Sequence, residues 1–399
     1  MNYFIKNIHV NKLFHLENFD IPISDAKYPH LIITGKNGSG KTVLLNAIAN
    51  LLEQLKNDEN LEGLRYNRYS FGREIKYDDR FHSDYRLNDK SISCDIIGIA
   101  YVLEKYINKE FVMAFYQADR SFKMIEPDSP TKANVDIGNI RETASDQFIK
   151  FLVDLKFQEL LAISNQEKEH ELAIKSWFIE FEKLLKGIFQ KENLTLSFNQ
   201  EKKYTFKIKT DEQTFGFNEM SDGFKAAINI VADLILKMQS DGKLSDAYQK
   251  EGIVLIDEIE THLHLGLQKI IMPLLTKIFP NIQFIVTTHS PFVLSSMDNA
   301  VAFDLEQRSP IDDLTDYSYS SLAEGYFGVR PESNNVRMRL DELTKLLSKD
   351  YLTSSEQMDV KLLVEDFEKI PEALSPSVVG EFLQIKLKYA DKIKSVLAL

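Results

Sequence analysis

Little in this sequence points toward a membrane or an oxidising compartment. A single cysteine, Cys94, in 399 residues excludes an intrachain disulfide framework and suits a reducing cytosol. No apolar run approaches the roughly 20 residues that a membrane-spanning helix needs. Residues 1–10 alternate like a strand, without the basic-then-apolar layout of a secretion signal. Glycine (16) and proline (11) are sparse, which favours regular elements over long coil. Basic charge is in deficit: 48 Lys and Arg face 60 Asp and Glu, a net charge of −12. That balance argues against indiscriminate nucleic-acid binding and leaves DNA only a local basic groove. The expectation is a cytoplasmic, soluble chain of about two to three domains, with no membrane association.

What is present begins with Gly35-Lys36-Asn37-Gly38-Ser39-Gly40-Lys41-Thr42, a complete G-x-x-x-x-G-K-[ST]. The apolar run Leu31-Ile32-Ile33 precedes it and an amphipathic run (Val43, Leu44, Leu45, Ala47, Ile48, Leu51, Leu52) follows, giving strand, glycine loop, helix. Glycines let backbone N–H groups of Asn37, Gly38, Ser39 and Gly40 turn around a phosphate chain, and the helix N-terminus adds partial positive charge. Lys41 would reach the β- and γ-phosphates and the Thr42 hydroxyl would ligate Mg²⁺. The motif predicts a site for a nucleoside triphosphate and Mg²⁺.

Residues 2–10 and 13–23 read as strands, the second counting Phe14 and Leu16 among its apolar positions. Residues 60–92 form a polar insertion rich in tyrosine and arginine (Arg65, Arg68, Arg73). Such residues can stack on bases, but Asp78, Asp79, Asp84 and Asp89 offset the charge, which favours a solvated surface. Residues 95–102 and 110–116 read as paired strands ending at Gln117-Ala118-Asp119-Arg120. Residues 141–192 turn helical, with Phe148, Phe151, Trp177, Phe178 and Phe181 spaced as core. Residues 194–198 and 203–209 suggest a hairpin. Ser221, in Met220-Ser221-Asp222-Gly223, suits the N-cap of an apolar helix from Phe224 to Met238.

The β-branched run Ile253-Val254-Leu255-Ile256 ends in Asp257-Glu258, an arrangement in which Asp257 holds the Mg²⁺ shell and Glu258 polarises an attacking water. A helix over 264–279 and a strand over 282–286 lead to Thr287-Thr288-His289-Ser290-Pro291. His289, at the carboxyl end of a strand, is suited to the γ-phosphate. His262, His264 and His289 lack the further ligands of a zinc site. Beyond a short strand at 300–303, residues 332–399 carry helical stripes, including Val336, Leu340, Leu343 and Leu347, then Leu362, Leu363, Phe367, Phe382, Ile385, Leu387 and Ile393.

Together, Gly35–Thr42, Met220–Gly223, Ile253–Glu258, the run from Asp257 to His264 and Thr287–Pro291 resemble the ABC-type ATPases of the OLD, RecF and SMC group. The short compact heads of that group resembled here are the ATPase subunits of anti-phage systems of the Septu, PARIS and retron kind. Ile259 and Leu265 stand where the group has prolines, and Met220 where it has leucine. The resemblance implies an α/β ABC-ATPase head: a P-loop NTPase with a mixed sheet and an antiparallel β-subdomain, carrying a helical lobe and a C-terminal helical tail. The implied divisions are 1–140, 141–192, 193–305 and 306–399. It implies ATP and Mg²⁺ held by Lys41, Thr42, Gln117, Asp257, Glu258 and His289 of one subunit, facing Ser221 and Gly223 of another. Arg120 is a lesser candidate beside Gln117. A homodimer or higher homo-oligomer follows, used as a switch that holds or gates a separate effector, such as an HNH or Toprim nuclease encoded nearby. The alternatives are a RecF-like DNA repair clamp and a slow-turnover ATP-bound scaffold; no nuclease of its own is expected.

Overall fold

The computed structural model describes residues 5–23, 30–54, 85–120, 123–135, 139–199, 203–239, 248–311, 334–370 and 376–397. The chain divides into two compact units, Met1–Leu322 and Ala323–Leu399.

Strands β1 (Ile5–Leu13) and β2 (Leu16–Pro22) form an antiparallel hairpin, and β3 (His30–Thr34) is buried along its whole length. Helix α1 (Lys41–Gln54) follows the phosphate loop. Strands β4 (Tyr85–Asn88) and β5 (Ile92–Ile96) complete a four-stranded antiparallel sheet in the order β2-β1-β5-β4. Thus residues 85–88 and 92, at the end of the polar insertion, are sheet; Arg65, Arg68 and Arg73 lie outside the described residues.

The strand expected over 95–102 is corrected. β5 stops at Ile96, and α2 (Ile99–Ile107) begins after Gly98, which takes a left-handed φ of 65°. The apolar residues Ile99, Val102, Leu103 and Tyr106 are buried at helical spacing. β6 (Phe111–Tyr116) does not pair with β5; it lies in another sheet beside β10.

Helices α3 (Phe148–Ser164) and α4 (Lys168–Phe189) bury Phe148, Trp177 and Phe181 among edge-on and stacked rings, as core and not as a binding box. Strands β7 (Thr195–Asn199), β8 (Thr205–Lys209) and β9 (Thr214–Gly216) make a small antiparallel sheet that contains the expected hairpin. Helix α5 (Asp222–Met238), β10 (Glu251–Ile256), α6 (Leu265–Ile278), β11 (Ile282–Thr287), the short α7 (Pro291–Leu294), β12 (Ala300–Asp304) and β13 (Ser309–Ile311) complete the first unit.

The main sheet runs β13-β12-β3-β11-β10-β6, parallel except for the edge strand β13. Its strands are near-continuous apolar runs because both faces are covered. Leu44, Leu45, Ile48 and Leu51 of α1 share one core with the antiparallel sheet (Ile8, Val10, Ile92, Cys94) and the parallel one (Phe115, Ile253, Ile285). Buried Gln283 stitches the two sheets, its Oε1 accepting from Ile5 N at 2.9 Å and its Nε2 donating to Ile5 O at 3.0 Å. The register, with Ile256 opposite both Tyr116 and Val286 and with Thr287 opposite Ile33, sets the carboxyl ends of four strands on one edge.

The second unit is helical: α8 (Asn334–Leu347), α9 (Ser354–Glu368), α10 (Pro376–Lys388) and α11 (Ala390–Leu397) enclose a core of Leu340, Leu343, Val364, Phe367, Phe382 and Ile393. Leu362 and Leu387, read as stripe residues, face outward instead.

Candidate nucleotide-binding site

The loop between β3 and α1 has its shape because of its glycines. Gly38 and Gly40 sit at φ 83° and 98°, which side chains rarely adopt, and a Cβ on Gly40 would meet Leu16 Cδ1 at 2.9 Å. The turn tightens through Ser39 N donating to Lys36 O at 3.1 Å, and α1 starts with Leu44 N donating to Gly40 O at 2.9 Å. Lys41, the first residue of α1, is buried; its Nζ donates to Gly35 O at 2.8 Å and Lys36 O at 3.0 Å. Burial lowers the Lys41 pKa, opposed by the carboxylates of Glu258, Glu260, Asp257 and Asp304.

Asn37, Gly38, Gly40, Lys41, Thr42, Glu258 and His289 line one cleft of about 280 Å³. Residues that the sequence reading did not assign to a site complete it: Leu13, Phe14 and His15 at the tip of the β1–β2 hairpin. Phe14 is corrected from strand to turn. It stands at φ 56°, 78% exposed, and His15 Nε2 lies 3.1 Å from Ser39 O. The tip carries none of the Asn, Asp or Gly that a two-residue turn prefers, so the sequence held no signal for it.

Across the strand edge, the acids after β10 interlock with the threonines after β11. Thr287 Oγ1 donates to Asp257 Oδ1 at 2.6 Å and accepts from Glu258 N at 2.7 Å. Glu260, quoted in the motif but given no role, accepts from Thr288 Oγ1 at 2.8 Å and from the His289 backbone N–H. Burial raises the Glu260 pKa. His289 is pushed down from 6.5 by burial and then by Lys41, so its imidazole is neutral at pH 7. Glu258 itself adopts φ 43°.

The other candidates stand apart from the cleft lining. Asp257 is buried at the strand end, and Gln117 is exposed directly after β6. Arg120 is buried, its Nη2 donating to Glu258 O at 2.5 Å. Ser221 occupies the N-cap position of α5, but its side chain makes no cap hydrogen bond and is exposed. Gly223 is buried, and a Cβ there would meet His262 O at 2.8 Å, so a packing demand accounts for glycine. His264 Nδ1 accepts from Leu267 N at 3.3 Å as the N-cap of α6. Leu265 is the first residue of α6, a position that proline also fits, which explains why it can replace one. Among the described residues no group of three or more His, Cys, Asp or Glu is arranged to hold a metal alone.

Comparison with known proteins places the chain among ATPase-like relatives. Residues 145–295 match the family described as "AAA domain, putative AbiEii toxin, Type IV TA system". A Septu protein PtuA of Bacillus mycoides (strain KBAB4) is 25% identical over 395 residues, covering 92% of this chain and 50% of that protein. A Septu protein PtuA of Bacillus thuringiensis is 27% identical, covering 70% of this chain and 71% of its own. The retron Vc95 probable ATPase of Vibrio cholerae serotype O1 biovar El Tor is 32% identical over 146 residues, 36% of this chain and 28% of that one. The chain therefore spans about half the length of the first of these relatives and less of the retron protein. Among solved structures, the SMC head domain from Thermotoga maritima aligns over 76% of this chain and 94% of its own, with 14% identity and a TM-score of 0.36. Over the spans given, the chain is thus similar to the Septu proteins PtuA and the retron probable ATPase of anti-phage systems, and its residues 145–295 to the AAA domain family.

Proposed function

We propose that the chain binds and hydrolyses ATP and uses the nucleotide to set the assembly state that restrains a separate effector in phage defence. The observation that carries this is the convergence of Lys41, Thr42, Glu258 and His289 on a single cleft at the carboxyl edge of a parallel sheet. The loop N–H groups and the α1 N-terminus would hold the phosphates, and Lys41 would exchange the Gly35 and Lys36 carbonyls for phosphate oxygens. Exposed Phe14 offers an aromatic face to the base. Mg²⁺ fits the donors: the Thr42 hydroxyl, the Asp257 carboxylate and the nearby Gln117 amide are the few protein oxygens such an ion takes when phosphates supply the rest. Bound, the ion neutralises phosphate charge. Glu258 would take a proton from the attacking water, and neutral His289 would donate to the γ-phosphate.

Ser221 and Gly223 would face the nucleotide of a second copy; the exposed, uncapped Ser221 hydroxyl supports this. Nucleotide between two copies would join them and hydrolysis would release them, passing the state to an effector such as an HNH or Toprim nuclease. Calorimetry and phosphate release test the reading. Lys41→Ala should abolish ATP uptake. Glu258→Gln should keep uptake, lower turnover about 10²- to 10⁴-fold, and hold one assembly state in light scattering. No ATP uptake by the parent chain overturns it, and salt-sensitive, ATP-dependent duplex binding would move it to a DNA clamp.

A further inference from the structure

Arg120 stands outside the role its neighbour Gln117 suggests. It is 5% exposed, absent from the cleft lining, and among the described residues makes one side-chain hydrogen bond, from Nη2 to Glu258 O at 2.5 Å. Its Nε and Nη1 have no partner among the described residues. The same is true of Oδ1 of Asn229, the buried α5 residue whose Nδ2 donates to Arg120 O at 3.3 Å. A guanidinium carries five N–H donors, and the three on Nε and Nη1 are left unmet here, which is costly inside a protein. A buried cation held this way is not explained by stability, which an apolar side chain would serve better.

The acids explain what keeps it. Asp257, Glu258 and Glu260 crowd three carboxylates into four residues, and the same three attract both Arg120 and Lys41. Burial lowers the Arg120 pKa to about 10, so the charge persists at neutral pH. Lys41 meets the acids from the phosphate loop, and Arg120 meets them through the Glu258 backbone. That backbone is the strained one. At φ 43° Glu258 occupies a region that non-glycine residues rarely enter. It is held by its N–H on Thr287 Oγ1 at 2.7 Å, by Ile259 N on Thr287 O at 3.1 Å, and by its carbonyl, which accepts from Thr261 N at 2.9 Å and from Arg120 Nη2. The Glu258 N–H contact fixes the peptide that precedes the residue, while the Ile259 N–H and the Glu258 carbonyl belong to the peptide that follows it. On that following peptide Arg120 is the one side-chain donor among the described residues, and the setting of the peptide fixes the direction in which the carboxylate leaves the chain.

We infer that Arg120 is a positioning residue for hydrolysis: it pins the Glu258 carbonyl so that the strained backbone aims the carboxylate into the nucleotide cleft. This rests on the hydrolytic role given to Glu258 above. In the 399-residue chain Arg120→Met should bind ATP with the parent's affinity and lower kcat roughly 10- to 100-fold, the loss that misplacement by about an ångström brings. Arg120→Lys, which keeps a cation with fewer donors, should recover part of kcat. Added to Glu258→Gln, Arg120→Met should cost nothing further, since no base remains to be aimed. If Arg120→Met does not fold, Arg120→Lys and its combination with Glu258→Gln decide the matter. An unchanged kcat, a loss additive to that of Glu258→Gln, or a loss carried by ATP affinity overturns the inference while the proposed function stands. A parent chain that takes up ATP without hydrolysing it overturns both.

Discussion

The two units treat charge in opposite ways. In the first, Lys41, Arg120, Asp233, Lys237, Asp257 and Asp304 are all buried. In the second, no charged residue is buried among the described residues; its ion pairs, such as Arg337–Glu381, Lys349–Glu356 and Lys386–Glu368, are solvated over an apolar seam. Removing charge from water costs several kcal/mol per ion, so the charges buried at the ends of the main-sheet strands, Lys41, Arg120, Asp257 and Asp304, are kept for something besides stability. The helical unit shows what stability alone selects: Leu, Val and Phe inside, charge outside.

The contrast is broken most severely at Asp233. Its carboxylate accepts from Lys237 Nζ at 2.7 Å, Tyr116 Oη at 2.6 Å and Ala144 N at 2.6 Å, joining α5 to the end of β6. Burial and Asp233 push the Tyr116 pKa upward, so the phenol stays protonated and donates. Asp233→Ala strands the Lys237 ammonium, keeping only the Glu142 carbonyl at 2.8 Å. Denaturant unfolding should show a loss of about 3–5 kcal/mol. Asp233→Leu combined with Lys237→Leu should recover most of it, because no buried charge is then left alone.

A smaller effect separates the units by pH. His30 opens β3, with its Nδ1 accepting from Phe284 N at 3.2 Å and its pKa pushed down by burial to about 4 from 6.5. Protonation removes that acceptor, so the folded state resists the proton more than the unfolded chain does. The stability is whole above pH 6.5 and is lost as pH falls toward 4, by about 3 kcal/mol. In denaturant titrations across that window His30→Gln should lie on a flatter curve than the parent, and parallel curves would refute the assignment.

How far the sequence showed this follows from what kind of signal each part carries. The loop Gly35–Thr42 and the runs ending at Asp257 and Thr287 were legible because glycine spacing and unbroken apolar strands are local patterns, and the parallel register brings their ends together. The helix Ile99–Ile107 was misread because Ile96-Ile97-Gly98-Ile99 satisfies a strand and a helix start alike, and only the left-handed Gly98 decides between them. Phe14 was read into a strand because its hairpin tip carries no turn residue. Arg120 was noticed only as a lesser neighbour of Gln117, and Asn229, Asp233 and Lys237 were silent, because their partners are distant in the chain or hidden in an apolar helix, so the polar stripe has meaning only once α5 lies on β6.

The smallest expected effect sharpens the same contrast from the other side. Lys386 Nζ lies 2.5 Å from Glu368 Oε1, as close as the buried pair, yet both side chains keep more than a third of their exposure (41% and 46%). Water already solvates each charge, so pairing them gains little and orders two long side chains. Lys386→Ala should therefore change thermal stability by no more than about 1 kcal/mol, and by less as salt is raised. A loss approaching that of Asp233→Ala would mean that distance and not desolvation sets the worth of a charge pair in this protein, and the reading of the buried charges as functional would lose its footing.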